Sequence, residues 1–194
     1  MDSTGEAVLY GDLPAGDQGR RVLVYRKDKA ELMTTPKFPS DHNKVDVKTV
    51  LTFDRNENIE AVRKVSTSGT YDQSSRYWLR YTIPVLIEES FKQRIQGIIP
   101  GSRLLDYKIS NEEDMLEKIK MEMTFEGSDF LIKAGPQMRV IPKFGNVDLG
   151  LVSKDDRTYP IEFYNPSEVT KRLEIKLPPQ YSVKSIPEPV SQKT

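Results

Sequence analysis

The apolar positions along the chain switch between a period of two and a period near 3.6, and the switches mark out its elements. Val45, Val47, Thr49, Leu51 and Phe53 alternate with Asp46, Lys48, Val50 and Thr52, the pattern of a strand with one buried face. Residues 54–58 (Asp-Arg-Asn-Glu-Asn) form a turn, and 59–68 returns as the hairpin partner. From Thr70 to Gly97 the spacing becomes helical. Ile87, Phe91, Ile95 and Ile98 fall four, four and three residues apart, an amphipathic stripe. Pro84 divides this stretch into two helices, because proline removes a ladder hydrogen bond and disfavours a helical residue before it. Pro100-Gly101 ends the second helix, and 103–109 reads as a strand. Ser110-Asn111-Glu112-Glu113-Asp114 predicts a short helix, since a polar cap followed by carboxylates suits a helix N-terminus. Ile119, Met121, Met123 and Phe125 restore the alternation. A turn at 127–129, a return strand at 130–133, a strand at 138–141 and a loop at 146–153 follow.

The two ends are also β-like. Residues 11–20 are dense in Gly, Pro and Asp and read as a loop. Arg21-Val22-Leu23-Val24-Tyr25 predicts a buried strand, 27–29 its turn and 30–34 the return. Near the C-terminus, Tyr159, Ile161 and Phe163, then Leu173, Ile175 and Leu177, then Tyr181, Val183 and Ile186 predict three short strands closing an antiparallel sheet. Pro160, Pro166, Pro178 and Pro187 punctuate them. The expected fold is mainly β (α+β), an antiparallel β-sandwich-like domain with a pair of helices near 70–97 packed on one sheet.

Composition narrows the chemistry. Lys+Arg and Asp+Glu are both 29, for a formal net charge of zero. Together with the lack of long like-charge blocks, this argues against a phosphate-tracking surface for nucleic acid and against a polybasic membrane anchor. The chain has no cysteine and a single histidine, His42. Disulfides, thiolate nucleophiles, thiolate metal sites and His-rich metal sites are therefore excluded, and no cofactor is expected. There is no 18-residue apolar run, and Met1-Asp2-Ser3-Thr4 does not read as a signal peptide. Gly11, Gly16 and Gly19 lack the following Lys-Ser/Thr of a phosphate cradle.

Few residues offer reactivity. Asp155-Asp156, Glu112-Glu113-Asp114 and Glu88-Glu89 are the carboxylate clusters. Paired acids serve glycoside hydrolysis only when they face each other across a bond, whereas sequence neighbours on a strand or helix diverge. Solvated or capping roles are favoured for them. His42 reads as an exposed loop residue with no nucleophile beside it. Trp78, with Tyr77 and Tyr81, offers an aromatic platform for a sugar or a base. Packing of Trp78 and Tyr81 from a shared helix face onto the sheet is the competing reading.

Several stretches carry a resemblance. Asp2-Ser3-Thr4, Tyr10-Gly11-Asp12-Leu13-Pro14 and Asp17-Gln18-Gly19-Arg20-Arg21-Val22-Leu23-Val24 resemble the end of the catalytic core in bacterial transglutaminase-like proteins, which are papain-like. Residues 157–163 and 177–187 resemble the β-rich domain of unknown function that follows that core. Gly69-Thr70-Tyr71-Asp72, Arg76, Pro100-Gly101 and residues 110–114 fit the same domain. The resemblance implies that Asp2 is the orphan aspartate of a Cys-His-Asp triad whose other members precede this chain. Residues 1–36 would then be the terminal hairpin of the core, 37–43 a linker, and 44–194 the accessory domain. It further implies a non-catalytic module that positions the core or binds a polypeptide partner, with the remainder of the parent polypeptide as first partner, in an extracytoplasmic setting. No nucleic acid and no membrane insertion are expected. The alternative is a free-standing carbohydrate- or ligand-binding β-domain using Trp78, Tyr77 and Tyr81. A hydrolase using acidic pairs is the third reading.

Overall fold

The computed structural model describes residues 6–54, 56–128, 130–135, 137–140, 156, 158–160 and 165–191. Its strands are β1 (Arg21–Arg26), β2 (Lys29–Thr34), β3 (Lys44–Phe53), β4 (Ile59–Thr67), β5 (Arg103–Ser110), β6 (Lys120–Gly127), β7 (Leu131–Ala134), β8 (Gln137–Val140) and β9 (Glu168–Lys176). Its helices are α1 (Thr70–Tyr81) and α2 (Pro84–Ile98). Five strands form one sheet in the order β5-β6-β4-β3-β9, and β1-β2 and β7-β8 are separate two-stranded hairpins. The protein is thus mainly β and α+β, with both helices laid on one face of the sheet.

The alternation read from the sequence builds the core directly. Register places Leu51 opposite Ala61, Phe53 opposite Ile59, and Phe125 opposite both Ala61 and Leu104. The helices complete the layer with Leu79, Ile87, Phe91, Ile95 and Ile98, all buried. Phe91 is fully enclosed, its ring 5.0 Å from Tyr107 and 6.0 Å from Trp78. A cation, Arg63, also sits on this face, opposite Thr49. Arg63 donates from Nη1 to Thr49 Oγ1 at 3.1 Å, and burial, with Arg94 nearby, pulls its guanidinium below its usual value.

Two polar hubs fix the connections. Asn43 is completely buried. Its Nδ2 donates to Asn165 Oδ1 (2.9 Å) and the Pro166 carbonyl (3.1 Å), and its Oδ1 accepts from the Thr70 amide (3.1 Å). The entries to β3, α1 and β9 are therefore held by one side chain. Gly69 makes room for it with φ +60°, in a place where a Cβ would lie 2.4 Å from Asn43 Oδ1. In the second hub, Arg76 is buried on α1 and donates to Asp72 Oδ1 (2.6 Å) and to the carbonyls of Asn111 (2.9 Å), Glu112 (2.7 Å) and Glu117 (2.5 Å). Asp72 Oδ2 accepts the Ile119 amide at 2.8 Å.

Several expectations are corrected. Residues 110–114 form no helix; β5 runs to Ser110, and 111–119 is a loop of bends and turns gripped by Arg76. The return strand after β6 pairs with β8 instead of β6. β9 joins the sheet parallel to β3, not antiparallel, because Asn43 delivers both strand entries to the same end. Residues 181–186 form no strand. Of the expected strand at 159–163, positions 161–163 lie outside the described residues, as do the 146–153 loop and Ile141.

Candidate binding surfaces

The strand at 21–25, expected to be buried, is not. Leu23 faces Leu32 and Tyr25 faces Ala30 across the pair, so one face of the ribbon is wholly apolar over these positions. Leu23 is 56% exposed, Leu32 55% and Tyr25 78%. On the other face Val22 and Val24 are half-buried. The base of the hairpin is anchored. The Thr35 amide donates to the Arg20 carbonyl at 2.8 Å, and the Arg20 amide to Thr35 Oγ1 at 2.8 Å. Gln18, itself buried, donates to the Leu13 carbonyl and accepts the Phe38 amide at 3.1 Å.

This N-terminal segment is also tied to α1. Gln73 donates to the Leu13 carbonyl at 3.3 Å, Tyr81 Oη donates to Glu6 at 2.7 Å, and Arg80 lies 3.4 Å from the same carboxylate. The Glu6 hydrogen bond raises the Tyr81 phenol above its usual value.

The three aromatic residues of α1 do not make one platform. Trp78 is half-buried, its ring in a T-shaped contact with Phe91 and the Arg94 guanidinium carbon 5.1 Å from its centroid. Burial lowers Arg94, whose cation covers the indole face. Tyr77 and Tyr81, four residues apart, pair instead with each other at 4.6 Å and are 61% and 59% exposed. Trp78 therefore belongs to the helix–helix contact, and the tyrosine pair to the surface.

Comparison with family models, curated proteins and solved structures finds no match to this chain.

The reactive residue types are placed as follows. His42, expected to be exposed, is half-buried, stacked on Phe38 at 4.2 Å with Nε2 2.7 Å from Asp12 Oδ1. The Asp12–His42 pair spans thirty residues and carries no local sequence signal. Glu88 is paired with Lys92 at 2.7 Å on α2, and Asp114 caps the Leu116 amide at 2.9 Å in the loop after β5. Among the described residues no group of His, Asp and Glu could hold a metal ion. No helix among them is long and apolar enough to cross a membrane. Asp2 and Asp155 lie outside the described residues.

Proposed function

We propose that this chain is a non-catalytic accessory module of a transglutaminase-like protein, and that it binds polypeptide through the apolar face of the β1–β2 hairpin. The observation that carries the reading is the exposure of Leu23, Tyr25 and Leu32 side by side on a two-stranded ribbon. A lone hairpin is marginal in water, and contiguous exposed apolar surface marks an interaction site. The unpaired edges of the ribbon suit addition of an extended strand. Acyl transfer by a thiolate is foreclosed by the absence of cysteine. The only imidazole is committed to Asp12. In this reading the ribbon meets the remainder of the parent polypeptide, in an extracytoplasmic setting.

Hydrogen exchange tests it. The amides of residues 21–34 should exchange more slowly in the polypeptide that includes the upstream segment than in this chain alone; equal rates would refute the proposal. The reading frame upstream of Asp2 should encode a cysteine and a histidine in catalytic context. A second reading, carbohydrate binding, is favoured by the exposed Tyr77–Tyr81 pair. A glycan array that responds to Tyr77→Ala and Tyr81→Ala would support it, and an array that is silent would end it.

A further inference from the structure

The sheet has a second face, opposite the helices, and its charges are not evenly spread. Register lines up Lys108, Glu122, Lys64, Lys48 and Arg172 in one row across all five strands. Lys48 thus has a cation directly opposite on both sides, an arrangement that destabilises a sheet. Lys120 lies one row away, beside Ser66 and opposite Ser110. These residues line a shallow open groove of about 400 Å³, with five cations against the carboxylates of Asp46 and Glu122. Lys64 is paired with Glu122 at 2.9 Å and Lys48 with Glu174 at 3.2 Å. Lys108, Lys120 and Arg172 form no ion pair among the described residues. On the other side of the row, Val50 faces Val62 on this same surface, both half-buried.

We propose that this face is a docking site for an acidic polypeptide segment with aliphatic residues interspersed among its carboxylates. Charge complementarity to the unpaired cations selects the carboxylates, and the adjoining valine pair receives the aliphatic side chains. The groove is open and charge-lined, unlike the enclosed apolar pockets that hold small molecules. No aromatic ring lines it for stacking a base. Four of its five cations are lysines, point charges and not the bidentate forks suited to phosphate. The site uses none of the hairpin residues and stands apart from the preceding proposal.

The test is fluorescence anisotropy on the intact chain with a labelled decapeptide of alternating Glu and Val at about 50 mM salt. Saturable binding is expected. It should weaken at least about tenfold in the double variant Lys108→Glu/Arg172→Glu, while Lys176→Glu at the far end of β9 and Tyr25→Glu in the hairpin leave it unchanged. The double variant breaks no ion pair, and an unaltered circular-dichroism melt confirms that it folds. Absent binding, binding that the double variant leaves within about twofold, or tighter binding of polyphosphate or a single-stranded oligonucleotide of equal length overturns the proposal.

Discussion

Replacing Arg76 with methionine should be among the most damaging single changes this chain can suffer. The side chain is 3% exposed and its partner Asp72 carboxylate 0%, so Arg76→Met strands a buried charge. Removing one member of a buried ion pair costs about 3–5 kcal/mol. The same change also leaves the carbonyls of Asn111, Glu112 and Glu117 without their donor. These can turn to water if the 111–119 loop lifts away, so the loop's release limits the added penalty instead of multiplying it. Against a total stability of about 5–15 kcal/mol, the loss corresponds to a fall of about 6–20 °C in melting temperature. Urea denaturation followed by circular dichroism measures it. Hydrogen exchange should show the 111–119 amides losing protection first. In Asp72→Leu/Arg76→Met the buried charge is gone, and the double variant should be more stable than the sum of the two single losses implies. A cost below about 1 kcal/mol for Arg76→Met would refute the claim that this guanidinium organises the loop.

Three further outcomes follow from the same structure. Gly69→Ala should destabilise by at least about 1 kcal/mol, because the residue is held at φ +60° and the new Cβ would meet Asn43 Oδ1; thermal melting reads it. Phe91→Ala empties the centre of the core and should cost about 3–5 kcal/mol, with a shift in Trp78 fluorescence as its ring partner disappears. For the Lys44–Glu168 pair at 3.1 Å, the Lys44 hydrogen bond holds Glu168 below its ordinary 4.5, and Glu168 raises Lys44 above 10.5. A depressed carboxyl stabilises above its unfolded pKa and loses that effect as pH falls through the folded one. A raised amine stabilises below its unfolded pKa and loses the effect as pH climbs through the folded one. The melting-temperature gap between the parent chain and Glu168→Gln should therefore be open near neutrality and close at both acid and alkaline extremes. A gap that does not vary with pH would contradict the pairing.

Local pattern was enough wherever the partner of an element is its neighbour in sequence. The hairpin β3–β4 and the stripe Ile87, Phe91, Ile95 and Ile98 could be read directly, because alternation and helical spacing state which side must be covered. The failures share a different cause. Residues 110–114 have the local chemistry of a helix start, yet Arg76, thirty-five residues back, takes the Asn111 carbonyl for itself. The parallel placement of β9 depends on Asn43 reaching Pro166 across 123 residues. Val22 to Tyr25 look buried because an apolar run says that a cover is wanted, not that one is present. The cationic row was invisible for a related reason. Its cations are single lysines and an arginine on four strands, with Glu122 on the fifth, and only the register brings them into line.

The alternation of β3 also explains why the sheet has two different faces. A strand covered on both sides reads as a nearly continuous apolar run. β3 instead places Val47, Thr49, Leu51 and Phe53 toward the helices and Asp46, Lys48 and Thr52 toward solvent. With the helices taking one side, only Val50 and Val62 give the other an apolar element at its centre, so the outward face is fitted for contact with a charged partner and not for burial beneath a second sheet. The formal charge of zero conceals this, because the cations of the groove are balanced partly by Glu60 and Asp106 farther along the same face. A field of this kind acts over about 8–10 Å at physiological salt. It therefore distinguishes one end of the sheet from the other for an approaching polypeptide, even though the whole chain has no net charge to attract it.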